Sequence, residues 1–361
     1  MNYFALFMVV FSVLGALDRI IGNKFGLGKE FEKGVLFLGH MGLSMIGMII
    51  IAPFIAEMLS PAFNWIYSVL GLDPSIIPAS LFANDMGGAP LATEIAKSTE
   101  IGIYNAYIVS SMMGCTISFT IPYALGATEQ GQHKDILLGF LCGIVTIPIG
   151  CFIAGIVMGI NIVALILNLL PLIIFSGLIA TGLVLCPKLC VKIFGIFGIF
   201  IKIIITIGLV LGIIEFLTDY QVIKGLGTLE EGAAVCLNAS AVMTGAFPFM
   251  YLVSKLISRP LKKIGKKASI NETSALGFVS SLATSLTTFE MMNKMDRKGV
   301  VLNSAFAISA AFTFAGHLAF TMAGNSDCIV PMIIGKLISG VTALVLAVII
   351  YKRSEKHPEN D

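Results

Sequence analysis

Long apolar runs separated by short polar loops account for almost all of this chain of 361 residues. Because an α-helix needs roughly 20 apolar residues to cross the hydrocarbon core of a bilayer, each such run predicts a membrane-spanning helix. The runs lie at about 2–21, 34–58, 101–126, 135–158, 162–185, 193–217, 231–256, 300–324 and 327–351. The pattern therefore predicts an all-α polytopic membrane protein with about nine full spans.

Two further segments, at about 74–97 and 269–292, are shorter or interrupted by polar residues. In the first, Asn84-Asp85 stands directly before Gly87-Gly88, and a glycine pair weakens a helix. A broken helix at membrane depth is tolerated only where it is buried in protein or lines a wet cavity. The segment is therefore interpreted as a re-entrant helical hairpin that carries a site. An ordinary loop outside the membrane, capped by Asn84 or Asp85, is the alternative.

The positions of lysine and arginine favour two re-entrant segments, because basic residues concentrate in cytoplasmic loops. In this arrangement the N-terminus lies outside, and each hairpin enters and leaves the membrane on one side. The outside loops then hold a single basic residue, Lys224, in the loop near 218–230. The inside loops hold Arg19, Lys24, Lys29, Lys33, Lys134, Lys188, Lys192, Arg259, Lys262, Lys263, Lys266, Lys267, Lys294, Arg297, Lys298, Lys352, Arg353 and Lys356. If both segments crossed fully, the basic cluster at 257–268 would lie outside. The C-terminus is therefore predicted to be cytoplasmic.

The two halves of the chain carry the same order of elements, which predicts an inverted repeat. Residues of the first half recur about 198 positions later: Asn105, Ser111 and Gly126 correspond to Asn303, Ser309 and Gly324. The predicted units are 1–158 with its hairpin at 74–97, a linking transmembrane helix at 159–192, 193–351 with its hairpin at 269–292, and a cytoplasmic tail at 352–361. Since one extra span separates the halves, the second half is inverted, which is the layout of many secondary transporters.

Composition agrees with a membrane protein and excludes several other classes. The chain is 57% hydrophobic and 12% charged, whereas soluble domains are about 25% charged. The seven cysteines contain no Cys-x-x-Cys pair, and the four histidines lack the spacing of metal ligands. No phosphate-binding Gly-x-x-x-x-Gly-Lys loop occurs. We therefore expect no metal, no cofactor and no ATP-driven pump.

Asp85 is the leading candidate for binding chemistry, since a carboxylate at mid-membrane prefers a cation or a proton. The second interrupted segment contributes hydroxyl groups near Thr284, an aromatic face at Phe289 suited to a cation, and Glu290, which is either a second counter-charge or a surface acid. The serines of the following spans and His317 are equally compatible with simple packing. The candidate substrate-binding residues are Asn84, Asp85, Met86, Gly87, Gly88, Ser111, Thr284, Ser285, Thr288, Phe289, Glu290, Ser309 and His317.

Several motifs together resemble the bacterial ethanolamine permease family encoded with ethanolamine-utilisation operons. The similarity runs from Asp18-Arg19 to about Ala343. It is carried by Asp85-Met86-Gly87-Gly88, Met112-Met113-Gly114, Val145-Thr146-Ile147-Pro148-Ile149-Gly150-Cys151, the stretch 303–312 and the stretch 331–344. The resemblance implies a bacterial inner-membrane protein that admits ethanolamine as a source of carbon and nitrogen.

Ethanolamine, a small cation at neutral pH, matches the candidate residues. Asp85 would bind its ammonium through charge-assisted hydrogen bonds, and Asn84 with the hydroxyls of Ser111, Thr284 or Ser285 would bind its alcohol group. The function predicted is uptake of ethanolamine by alternating access or facilitated diffusion. The alternatives are a carrier of another small polar solute coupled to H⁺ or Na⁺, and a membrane sensor or scaffold. An enzyme is not expected, because no nucleophile–base pair is evident. A homodimer is expected as the first choice of assembly, and no nucleic acid partner.

Overall fold

The computed structural model describes residues 3–356, with only the backbone given at positions 70, 191, 258, 259, 261, 262, 264, 266 and 354–356. Helices provide all the regular secondary structure of this part of the chain. The helices are α1 (Tyr3–Ile20), α2 (Leu27–Leu70), α3 (Ile76–Leu81), α4 (Gly88–Ile95), α5 (Thr99–Tyr104), α6 (Ile121–Ala127), α7 (His133–Val157), α8 (Ile162–Leu185), α9 (Pro187–Thr218), α10 (Leu229–Ala268), α11 (Glu272–Ala283), α12 (Ser285–Glu290), α13 (Arg297–Ala310), α14 (Gly316–Gly324) and α15 (Ile329–Lys356). The predicted all-α architecture is confirmed.

Eight helical segments among the described residues are long and apolar enough to cross a membrane. They are Tyr3–Ile20, Leu27–Val69, Thr99–Ala127, Gln130–Val157, Ile162–Leu185, Pro187–Thr218, Leu229–Ile257 and Ser326–Arg353. Since one chain carries all of them, the protein is a multi-pass membrane protein. Several run past the predicted boundaries, so that α2 continues to Leu70 where a loop was expected from residue 59. The predicted tail from residue 352 begins inside α15, and its residues 357–361 lie outside the described part.

Each interrupted segment folds as a pair of short helices whose ends are joined by hydrogen bonds. In the first pair, α3 and α4 have 6 and 8 residues, which is too short to cross a bilayer. Asp73 precedes α3, and its Oδ2 accepts hydrogen bonds of 3.0 Å and 2.9 Å from the backbone N–H groups of Lys97 and Ser98, which follow α4. In the second pair, Asn271 N donates to Asp296 Oδ1 over 2.7 Å. The two pairs are called hairpin 1 and hairpin 2 below.

The helix that follows each hairpin is irregular. Between α5 and α6 the backbone is π-helical over Asn105–Gly114 and Thr116–Thr120. The expected span at 300–324 is divided instead into α13 and α14, because Phe312 has a left-handed backbone with φ of 62°. The N–H groups of this break pair with hairpin 2: Phe312 N donates to Ser281 O and Phe314 N to Leu282 O, both over 2.9 Å. These two bonds give the broken backbone partners within the protein, as a non-helical backbone at membrane depth requires.

Two groups of helices enclose the centre of the molecule. One group is α1, α2, α9 and α10, and the other comprises the hairpins, the irregular helices, α7 and α15. Helices α2 and α10 run antiparallel, since Ser240 Oγ donates to Gly34 O while Gly227 N donates to Ile50 O. Hairpin 1 follows the end of α2 and hairpin 2 follows the end of α10. The hairpins therefore approach the centre from opposite ends of this helix pair.

Helices α2 and α9 cross at a contact that only glycine allows. A Cβ added to Gly47 would lie 1.8 Å from Ile205 O, and one added to Gly208 would lie 2.1 Å from Gly47 O. Such small residues let membrane helices approach closely, because packing rather than the hydrophobic effect holds helices together in lipid.

We predict that Gly47→Ala lowers the melting temperature in detergent, because the methyl group must push α2 and α9 apart. A loss of about 1–3 kcal/mol in the free energy of unfolding is expected for overpacking of this kind. Gly39→Ala is the matched control on the same helix, since nothing lies within 4 Å of its added Cβ. Equal melting temperatures for the two variants would contradict the proposed tight crossing.

Candidate binding cavity

A cavity of about 710 Å³ lies between the two helix groups. One face each of α2 and α10 forms one wall, with lining residues three or four positions apart, as helix geometry requires. These residues are Glu30, Lys33, Phe37, His40, Met41 and Ser44 on α2, and Met243, Phe247, Met250, Tyr251 and Ser254 on α10. The tips of both hairpins, with Cys115, Phe119, Phe312, Gly316 and His317, line the opposite wall.

The cavity opens where α2 begins and α10 approaches its end. Glu30 and Lys33 lie there and form an ion pair of 2.6 Å, with the lysine side chain well exposed. His40 lies ten positions after Glu30 on α2, which is about 15 Å further along the helix axis. The apolar stretch between them means that a polar solute meets its next fixed charge at the tip of hairpin 1.

Asp85 lies at that tip and lines the cavity. Asn84 holds the tip, since its Oδ1 accepts a hydrogen bond of 3.0 Å from Asp85 N. Among the described residues, none other than Asp85 itself donates a hydrogen bond to the Asp85 carboxylate. A Cβ added to Gly316 would lie 3.8 Å from Asp85 Oδ2, so α14 begins directly beside this carboxylate.

A buried lysine contacts His317, the residue that follows Gly316 on α14. Lys336, on α15, is 1% exposed, and its Nζ lies 3.0 Å from His317 Nδ1. The same Nζ donates to Ser111 O over 2.6 Å. Since an ammonium has donors only, His317 Nδ1 must accept from it when Lys336 is charged. The imidazole is then neutral, and its proton lies on Nε2.

Aromatic side chains surround the same end of the cavity. The Phe312 ring lies 5.1 Å from the His317 ring and 5.7 Å from the Phe119 ring, measured between centroids. On α2, the Phe37 and His40 rings are 5.7 Å apart. Faces of this kind attract a cation within about 6 Å of the ring centroid.

The structure brings four of the thirteen candidate residues to the cavity: Asp85, Met86, Thr284 and His317. The others do not line it. Gly87 and Gly88 pack against protein, since an added Cβ would lie 2.0 Å from Met48 Cγ at Gly87 and 2.2 Å from Phe82 O at Gly88. Gly87 also has φ of 102°, so the two glycines shape the tip of hairpin 1.

Three further candidates of hairpin 2 contact the hairpin itself or its neighbouring helices. Thr288 Oγ1 donates to Gly277 O over 3.1 Å. Phe289 is buried with its ring against Phe140, and the exposed Glu290 accepts a hydrogen bond of 3.2 Å from Tyr123. The hydroxyls of this hairpin that line the cavity belong to Ser280, Thr284 and Thr287.

Three candidate side chains are buried close to the hairpin tips and the broken helix with polar atoms that lack a hydrogen-bond partner in the structure. They are Asn84 Nδ2, Ser285 Oγ and Ser309 Oγ. Ser111 is satisfied, since its Oγ donates to Ile108 O. These unpartnered groups do not line the cavity as the structure stands.

The prediction from the sequence includes no role for Lys336, and it presents His40 only as one of four scattered histidines. The signal for Lys336 was present, because a single lysine inside an apolar span of about 20 residues points to a functional site. No comparable signal existed for His40, which the fold alone brings to the cavity. Within residues 3–356, no group of three His, Cys, Asp or Glu side chains converges as metal ligands do.

Comparison with known proteins gives a match over nearly the whole chain. The sequence model of the family described as "Ethanolamine utilisation protein, EutH" matches residues 1–350. A protein of Listeria monocytogenes named "Probable ethanolamine permease EutH" is 44% identical over 349 residues, which cover 97% of this chain and 94% of that protein. Proteins of the same name from Salmonella typhimurium and Escherichia coli are 36% and 37% identical, each over 96% of this chain and 95% of the relative. No solved structure matches this chain significantly.

We predict that the two neighbouring positions of the hairpin 2 tip differ sharply in accessibility. In a background with the native cysteines replaced by alanine, Thr284→Cys in the detergent-solubilised protein should react with a water-soluble thiol reagent, because Thr284 lines the open cavity. Ser285→Cys should stay unreacted until the protein is denatured, since Ser285 is fully buried. Equal labelling rates would show that the cavity is closed at this tip or that the tip is turned.

Proposed function

Because the chain belongs to the ethanolamine utilisation protein EutH family, we propose that it admits ethanolamine into the cell as a membrane transporter. It is a permease rather than an enzyme. The observation that carries the assignment to a site is the Asp85 carboxylate, which faces a cavity and has no hydrogen-bond donor from another described residue. A carboxylate in such a place has capacity for an ammonium group.

The chemistry of the cavity wall fits the protonated amine. Asp85 accepts hydrogen bonds from the ammonium, which are stronger than those between neutral groups. The faces of Phe119 and Phe312 add an electrostatic attraction for the cation. The alcohol end takes donors and acceptors from His317 Nε2 and the Thr284 hydroxyl, both beside the hairpin tips.

Alternating access of the site is supported by the arrangement of the hairpins. We infer that both are re-entrant, because each is too short to cross and its two ends are bonded together. Equivalent positions make these bonds, since residues 73 and 98 correspond to residues 271 and 296, each pair 198 positions apart. Asn105 donates to Ser75 Oγ in the first half and Asn303 to Ser274 O in the second, so both contact the first turn of their own hairpin. These shared contacts support an inverted repeat with about nine crossings, of which the one before α15 is formed by α13 with α14.

The positions of the basic loops support an orientation with the N-terminus outside and the C-terminus in the cytoplasm. The mouth of the cavity then faces the cytoplasm, and this conformation is open inward. The membrane would be the bacterial plasma membrane. A homodimer stays a prediction.

We predict that Asp85→Asn reduces uptake of labelled ethanolamine at least about tenfold, because an amide of the same shape cannot offset the ammonium charge. Uptake per molecule of inserted protein is the measurement. Asp327→Asn is the matched control, since Asp327 is an exposed acid in the loop before α15. Full uptake by the Asp85 variant at equal abundance would remove this carboxylate from the site.

Ethanolamine uptake is expected to need no proton gradient as its driving force. In proteoliposomes at acidic and at neutral pH, saturable ethanolamine uptake should proceed without an imposed proton gradient, because a fixed carboxylate can bind the cation without giving up a proton. Accumulation that requires the gradient would instead make the protein a proton-coupled carrier. Absence of ethanolamine uptake, with uptake of another small polar solute, would favour the alternative carrier.

A further inference from the structure

Lys336 is the buried charged group for which the proposed function has no use so far. It is the only basic residue among those between Pro331 and Leu344, in the first half of α15. A buried charge in a membrane helix is expensive unless it is paired or serves a function. The hydrogen bonds to Ser111 O and His317 Nδ1 use two of its three donors, and both acceptors are neutral.

The carboxylate of Asp85 lies close to this group. His317 bonds Lys336 and follows Gly316, whose Cβ position is 3.8 Å from Asp85 Oδ2. Opposite charges attract each other more strongly in buried surroundings than in water. No ion pair within 4.0 Å joins Lys336 and Asp85 among the described side chains, so the two charges stay separate. The other titratable groups facing Asp85 are His40 and Cys115.

We propose that Lys336 is the resident counter-cation of the binding site, which balances the Asp85 charge when no substrate is bound. This inference rests on the proposed function. With Asp85 negative, Lys336 positive and His317 neutral, as its bond to Lys336 requires, these three groups carry no net charge in the empty site. A site with bound ethanolammonium carries one positive charge.

Asp85 and Lys336 then act in different steps of a transport cycle, which are the binding of substrate and the return of the empty site. Asp85 binds the substrate, while Lys336 lets the empty site return across the membrane without an uncompensated carboxylate. Lys336 therefore acts through Asp85, whose charge it balances, and does not contact the substrate. Its separation from Asp85 leaves the carboxylate accessible to the incoming ammonium.

The test compares net uptake with exchange in proteoliposomes. Wild-type protein should take up labelled ethanolamine both into empty vesicles and into vesicles preloaded with unlabelled ethanolamine. Lys336→Met should keep exchange within about threefold of wild type and lose net uptake at least about tenfold. The expected size follows because an uncompensated charge inside the membrane costs more than the free energy of a tenfold change. Lys336→Arg should restore much of the net uptake.

Lys202→Met is the matched control, because Lys202 is an exposed lysine on the membrane helix α9, away from the cavity. It should leave both assays unchanged. Equal losses of net uptake and exchange in Lys336→Met would assign Lys336 to the structure or to substrate contact, and no loss in either would remove its role. Absence of both activities in the wild-type protein would overturn the proposed function itself.

Discussion

The structure depends on one constraint, which is that every interrupted helix in an apolar bundle must pair its free backbone groups within the protein. The breaks satisfy one another. Ala83 N, at the tip of hairpin 1, donates to Ser118 Oγ on the π-helical segment, and the break between α13 and α14 donates to the carbonyls of Ser281 and Leu282. Each hairpin is thereby fixed to the irregular helix that follows it. The two breaks, brought together from opposite ends of the molecule, create the cavity.

The same arrangement explains why so much polar chemistry can lie inside a chain of this hydrophobicity. Hairpin tips present side chains at depth without a full turn of exposed backbone, because the glycines at 87 and 88 press the turn against Met48 and Phe82. Asp85 is left facing open space. The strained backbone of Phe312 is retained beside it, and left-handed conformations of bulky residues are commonly held at functional sites by their surroundings.

Charge rather than shape distinguishes this cavity. Aromatic and methionine side chains form a large part of its wall. They accept many small solutes, and only a few groups can select among them. The Asp85 carboxylate at the tip of hairpin 1 selects a cation, and the aromatic faces reinforce that choice. The buried pair of Lys336 and His317 gives the same place a second charge of opposite sign, which balances that of Asp85 when the site is empty.

The sequence by itself determined the class of the protein, the approximate positions of its long apolar helices, and the two interrupted segments. Those features follow from hydropathy and from glycine and proline, which act within a few residues. Hydropathy in a membrane bundle leaves open how each helix is turned about its axis. Only the tertiary structure decided that Glu290 faces Tyr123 at the surface, that Ser111 offers its carbonyl and not its hydroxyl, and that Lys336 meets His317. The contact between Lys336 and Ser111 joins positions 225 residues apart, and no local pattern specifies such a meeting.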